Sequence, residues 1–167
     1  MSSATTRGVV FVHSAPPALC PHVEWAAGAV LGVRLHLDWT GQPAEPGSLR
    51  TELSWQGPAG TGARLASALR GWDRLRYEVT EEPSAGADGA RWSHTPALGV
   101  HHAVVGVHGD VLLHEDRVRA AVAASGGDGR ALTEELDRVL GRAWDAELEP
   151  FRYAGDGAPV RWLHRVG

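Results

Sequence analysis

The chain has 167 residues, 43% of them apolar and 22% charged, with 16 Lys+Arg against 20 Asp+Glu and a formal charge of -4. That is enough chain for one domain with a sizeable core. The acidic balance excludes a surface dominated by phosphate binding, and no apolar run approaches the roughly 18 residues of a membrane span. The single cysteine cannot form an internal disulfide, which points to a reducing cytoplasm. MSSATTRG at the start lacks the apolar centre of a signal peptide. All the basic residues are arginine, and lysine, asparagine and isoleucine are absent, a bias that a high-GC genome explains without any functional cause.

In chain order, the β-branched run Val9–Val12 reads as a buried strand and Val23–Leu31 as a helix. Val33, Leu35, Leu37 and Trp39 alternate with Arg34, His36 and Asp38, which predicts a second strand over 33–39. TGQPAEPGS (40–48) is a turn-rich loop, and Leu49–Trp55 alternates again with Thr51, Leu53 and Trp55 inward. Leu65, Ala68, Leu69 and Trp72 stand at helical spacing, and Leu75, Tyr77 and Val79 mark a fourth strand. EEPSAGADGA (81–90) reads as a flexible loop. Beyond it, 98–107 and 111–114 predict a hairpin about His108-Gly109, followed by a helix over 115–124. A second helix, capped at Asp128 or a neighbour, runs to about Trp144 with Leu132, Leu136, Val139, Leu140 and Ala143 as its stripe. Val160–His164 reads as a last strand, and GDGAPVRWLH (155–164) faintly echoes GADGARWSH (86–94). The expected fold is α+β: one domain over 1–167, with a ferredoxin-like βαββαβ plait over 1–80. A hairpin, two helices and a C-terminal strand over 90–167 complete it.

Three blocks carry a resemblance: RGVVFVHSAPPALCPHVEWA (7–26), WSHTPALGVHHA (92–103) and GDVLLHEDRVR (109–119). With them, the chain resembles the actinobacterial domain-of-unknown-function family numbered 3145. The resemblance implies no reaction. Its members are often encoded near fatty-acid synthesis genes, which associates the chain with fatty-acid metabolism but supplies no mechanism.

The first candidate site is the corner that joins the first strand to the first helix. Pro21 suits the first helical position, which makes Cys20 the expected cap. There the dipole and unpaired amides favour a thiolate, with His13 or His22 to deprotonate it. That is the enzymatic reading. The alternatives are a non-covalent ligand held by His13, Ser14, Cys20 and His22, and a buried cysteine in a proline-stiffened corner. In the hairpin, His101 and His114 share a face near Glu115 and Asp116, but no chelating His or Cys spacing occurs. Neither a metal nor a cofactor is expected. Arg34, His36, Asp38, Arg50, Glu52, Arg76 and Glu78 form a mixed-charge outer sheet face without stacking aromatics, which disfavours nucleic acid and reads as solvated. Gly60-Thr61-Gly62-Ala63 suits a helix cap at Thr61 better than a phosphate loop. Arg130, Arg138 and Arg142 recur at multiples of four with Glu134 between them, a stripe suited to an acidic carrier protein or to a plain solvated face with a Glu134–Arg138 pair. No complete catalytic constellation is visible. The leading expectation is therefore a non-enzymatic cytoplasmic module that binds a small ligand or a protein, with the Cys20 enzyme as the alternative.

Overall fold

A computed structural model describes residues 4–153. The expected strand over 160–164 and its echo lie outside the described residues. The chain forms a mixed α+β structure around one open antiparallel sheet. Its strands are β1 (Thr5–Ala15), β2 (Thr40–Gly41), β3 (Leu49–Pro58), β4 (Arg76–Glu81), β5 (Gly89–Thr95), β6 (Gly99–Val105) and β7 (Val111–Leu112), in the order β2-β3-β1-β4-β5-β6-β7. The helices are α1 (Cys20–Leu31), α2 (Thr61–Leu69), α3 (Glu115–Ser125), α4 (Gly129–Leu140) and α5 (Arg142–Arg152).

Pleating sends Val10 and Val12 of β1 and Tyr77 and Val79 of β4 to one face, where α1 and α2 bury them with Leu65 and Leu69. Tyr77 is fully buried and satisfies its hydroxyl by donating to the Ala66 carbonyl at 2.9 Å. Gly8 keeps β1 and β4 close: a Cβ there would lie 1.8 Å from the Thr80 carbonyl oxygen. Only a glycine fits at that point.

The predicted strand over 33–39 is not one. These residues join no ladder, and the one beside β3 contains only Thr40 and Gly41. Their alternation still reports burial, since Leu35 and Trp39 pack on the core. The missing ladder is replaced by one side chain. Glu24 of α1 accepts from the Leu37 amide at 2.8 Å and the Trp39 indole at 3.1 Å.

The loop expected over 81–90 ends early, because β5 starts at Gly89 and pairs with both β4 and β6. One continuous sheet thus joins the two halves of the chain. The β6–β7 turn spans Gly106 to Asp110, wider than the two residues expected. Asp128 caps α4 by accepting from the Arg130 amide. The helix predicted to reach Trp144 breaks at Gly141, whose φ is +79°. A Cβ there would also press within 2.6 Å of the His101 ring, so glycine is required twice over.

Candidate functional site

The break at Gly141 sends α5 across the second face of the sheet. Trp144 near its start donates to the Gly99 carbonyl at 2.9 Å, and Phe151 near its end lies under the Arg76 guanidinium. The outer face expected to be solvated is therefore partly covered. Glu78, placed there as an exposed charge, is 0% exposed.

What buries Glu78 also satisfies it. His13 Nε2 donates to one carboxylate oxygen at 2.7 Å, and Ser93 Oγ donates to the other at 3.3 Å. Arg152, 2% exposed, donates to both oxygens, which is the fork geometry arginine offers a carboxylate. Arg152 also reaches Asp145 at 3.0 Å. Burial opposes the charge on Glu78, but the His13 bond and the Arg152 guanidinium outweigh it and hold the carboxyl far below its ordinary range. Burial likewise opposes the charge on Arg152, and its carboxylate partners raise it further above the ordinary arginine value.

His13 reaches this network by plain alternation, because Val10 and Val12 point to the first face and Phe11 and His13 to the second. The register shifts after Val12 in the pairings with both β3 and β4. A bulge at that point turns consecutive side chains to one face. Ser14, next to His13, accepts from Arg76 at 3.2 Å, while Arg76 also donates to Glu45 at 2.7 Å. Gln42 closes the corner by donating to the His13 carbonyl at 2.7 Å and the Phe151 carbonyl at 3.2 Å. Every group in this cluster has a partner.

The predicted corner site therefore does not assemble. His13 and Ser14 serve the second face, whereas Cys20 is buried among α1 and α2 core residues. Leu19, not Cys20, is the cap residue of α1, because a 3-10 turn over Pro17–Leu19 precedes it. Burial, with the Glu24 charge, pushes the Cys20 thiol up, opposite to the thiolate the enzymatic reading requires. Its sulfur points to the Pro16 carbonyl at 3.7 Å, and His22 lies exposed against Trp72.

The other candidates are similarly dispersed. His101 packs on Trp144 under Gly141, His102 stacks on Trp92, and His114 sits exposed before α3. Burial lowers the pKa of both His101 and His102. Among the described residues no group of three or more His, Cys, Asp or Glu is placed to hold a metal ion. At the start of α2, Glu81 accepts from the Gly60 and Gly62 amides at 2.7 Å each, filling the anion position with the chain's own carboxylate. Thr61 is not the cap: its hydroxyl donates to the Pro58 carbonyl.

At the opposite end of the second face, no helix among the described residues lies across the strands. A cleft of about 660 Å³ opens there, lined by Arg7, Val9, Thr80, Glu82, Arg91 and the turn from Val105 to Gly109. Arg7 pairs with Glu82 at 2.8 Å on its exposed rim. Sequence patterning missed both ends of this face, and the register shift at His13 leaves no trace in composition.

The family model described as "Protein of unknown function (DUF3145)" matches residues 9–165. The chain belongs to DUF3145. No curated protein and no solved structure matches it. In this DUF3145 chain the arginine stripe is divided between two helices, with Arg130 and Arg138 on α4 and Arg142 beyond the break. Each is paired, Arg130 with Glu134, Arg138 with Glu135 and Arg142 with Asp137, and the expected Glu134–Arg138 pair is replaced by these.

Proposed function

We propose that the protein is a non-enzymatic binding module of the cytoplasm, and that its ligand enters the open cleft on the second sheet face. One observation carries this reading. The Glu78–His13–Arg152 cluster is buried under α5 with each member hydrogen-bonded, while among the described residues the same face is left uncovered where Val9 and Val105 meet Arg7 and Arg91. A buried, satisfied ion cluster holds an element in place. A concave surface mixing apolar walls with a few charges is the ordinary form of a small-molecule site.

The ligand class this lining favours is an apolar chain with an acidic head, the chain along Val9, Val105 and Val107 and the head toward the arginines. That class agrees with the proposed association with fatty-acid metabolism. Residues 1–80 are proposed to be a ferredoxin-like plait whose second strand is reduced to Thr40–Gly41, a reading supported by the order β2-β3-β1-β4 with α1 and α2 on one face. The acidic-carrier contact at Arg130, Arg138 and Arg142 is less favoured, because the break at Gly141 divides that stripe between two helices.

Decanoate and decanol are suitable probes for isothermal titration. Decanoate should bind at one site, decanol at least roughly tenfold more weakly, since a charge-assisted bond contributes on the order of 1.5 kcal/mol. Val105→Asp should abolish decanoate binding with the fold retained. Equal binding by the wild type and Val105→Asp would remove the cleft from consideration.

A further inference from the structure

The helix layer over the first face carries a groove of its own. The α1 helix ends at Gly32, whose φ is +71°, and the chain turns back along it, with the Val33 amide donating to the Gly28 carbonyl at 3.1 Å. Gly28 permits that return, since a Cβ there would lie 2.5 Å from the Val33 carbonyl oxygen. The groove measures about 560 Å³ and is lined by Trp25, Gly28 and Ala29 of α1 and by Val33 and Leu35 of the returning segment. Trp25 is 72% exposed and Val33 54%. Apolar side chains scattered singly are ordinary, but an indole and a valine standing in water along one groove mark a contact surface.

Charge selects the occupant. Arg34 and His36 also line the groove, are exposed, and make no hydrogen bond or ion pair among the described residues. The carboxylate of the lining, Glu24, is already committed, because it accepts from the Leu37 amide and the Trp39 indole. We infer that this groove receives an acidic amphipathic helix of a partner protein, its apolar side chains against Trp25 and Val33 and its carboxylates toward Arg34. Laying an apolar helix face into a groove is a recurring mode of recognition, and complementary charge fixes the partner's sign. The 12 residues of α1 extend about 18 Å, which matches roughly three turns of a partner helix. A second copy of the chain fits less well, because it would bring the same cations to the same rim. A concave surface likewise suits a helix better than a flat bilayer. The groove is separate from the open cleft on the second face and does not depend on it.

Two synthetic peptides of about three helical turns, stapled as helices and sharing one leucine stripe, test this by isothermal titration. One carries glutamate at the remaining positions and the other lysine. The glutamate peptide should bind saturably at one site, and the lysine peptide about tenfold or more weakly. Trp25→Ala should weaken the glutamate peptide about tenfold or more, and Arg34→Glu should reverse the order of the two peptides. Both positions are exposed, so each variant should keep the urea midpoint of the wild type. No saturable binding of the glutamate peptide, a lysine peptide that binds as tightly, or an affinity unchanged by either substitution would each overturn the proposal. So would attachment to phosphatidylglycerol vesicles, or dimerisation lost in Trp25→Ala, in the absence of peptide binding, since the groove would then belong to a membrane or to a second copy.

Discussion

The second sheet face has two ends built on opposite principles. At one end α5 lies across the strands, and a carboxylate, an imidazole and a guanidinium are enclosed and hydrogen-bonded to one another. At the other end the strands of the same sheet carry Arg7, Val9, Arg91 and Val105 into an open cleft. Ionisable side chains alone therefore do not mark a site in this molecule. The richest cluster of them is buried, and it acts as a clasp: Glu78 of β4 holds Arg152, the last residue of α5.

The sharpest way to break the comparison is to open the clasp. Arg152→Ala would leave Glu78 buried without its main counter-charge, a loss of about 3–5 kcal/mol. Urea unfolding should show it. Replacing both partners together, Glu78→Leu with Arg152→Leu, should recover most of that loss, because an apolar pair of similar volume avoids the desolvation of two ions. If Arg152→Ala is as stable as the wild type, α5 is not held by this cluster.

Acid offers a graded version of the same test. The folded pKa of Glu78 lies below its unfolded value, so its contribution is present above about pH 5 and is lost as pH falls below the ordinary glutamate value, about 4.3. His101 and His102 have folded values lowered first by burial, so their contribution is present above the ordinary imidazole value, about 6.5, and declines as pH falls below it. Both effects have the same sign. Urea midpoints should fall from about pH 6.5 downward and steepen below about pH 5. Stability that rises on acidification would contradict the assignment.

The smallest expected effect concerns the first face. Cys20 in the native protein should react slowly with iodoacetamide at neutral pH and rapidly in urea, with a native thiol pKa above the ordinary value of about 8.5. Fast native labelling at pH 7 would restore the thiolate reading of the corner.

Much of the first face was legible in the sequence because its contacts are local in pattern. The apolar run Val9–Val12 located β1, period-2 alternation located Tyr77 and Val79, and helical spacing located Leu65 and Leu69. The segment 33–39 shows the limit of that signal. Alternation reports which side chains are buried, and it is silent on whether backbone bonds go to a neighbouring strand or to Glu24. The second face was illegible for a different reason. Glu78 reads as exposed until Arg152, 74 residues later, is placed against it, and that placement depends on the break at Gly141. Long-range pairing of charges has no periodicity to detect.

The account's central claim is that ligand binding belongs to the open end and structural closure to the other. Heteronuclear NMR during a decanoate titration tests it most directly. The account predicts that the amide signals of Val9, Glu82, Arg91 and Val105 to Gly109 move in a saturable manner, while those of Glu78, Ser93 and Arg152 stay in place. Shifts centred on Glu78 and Arg152, with the cleft unmoved, would contradict it.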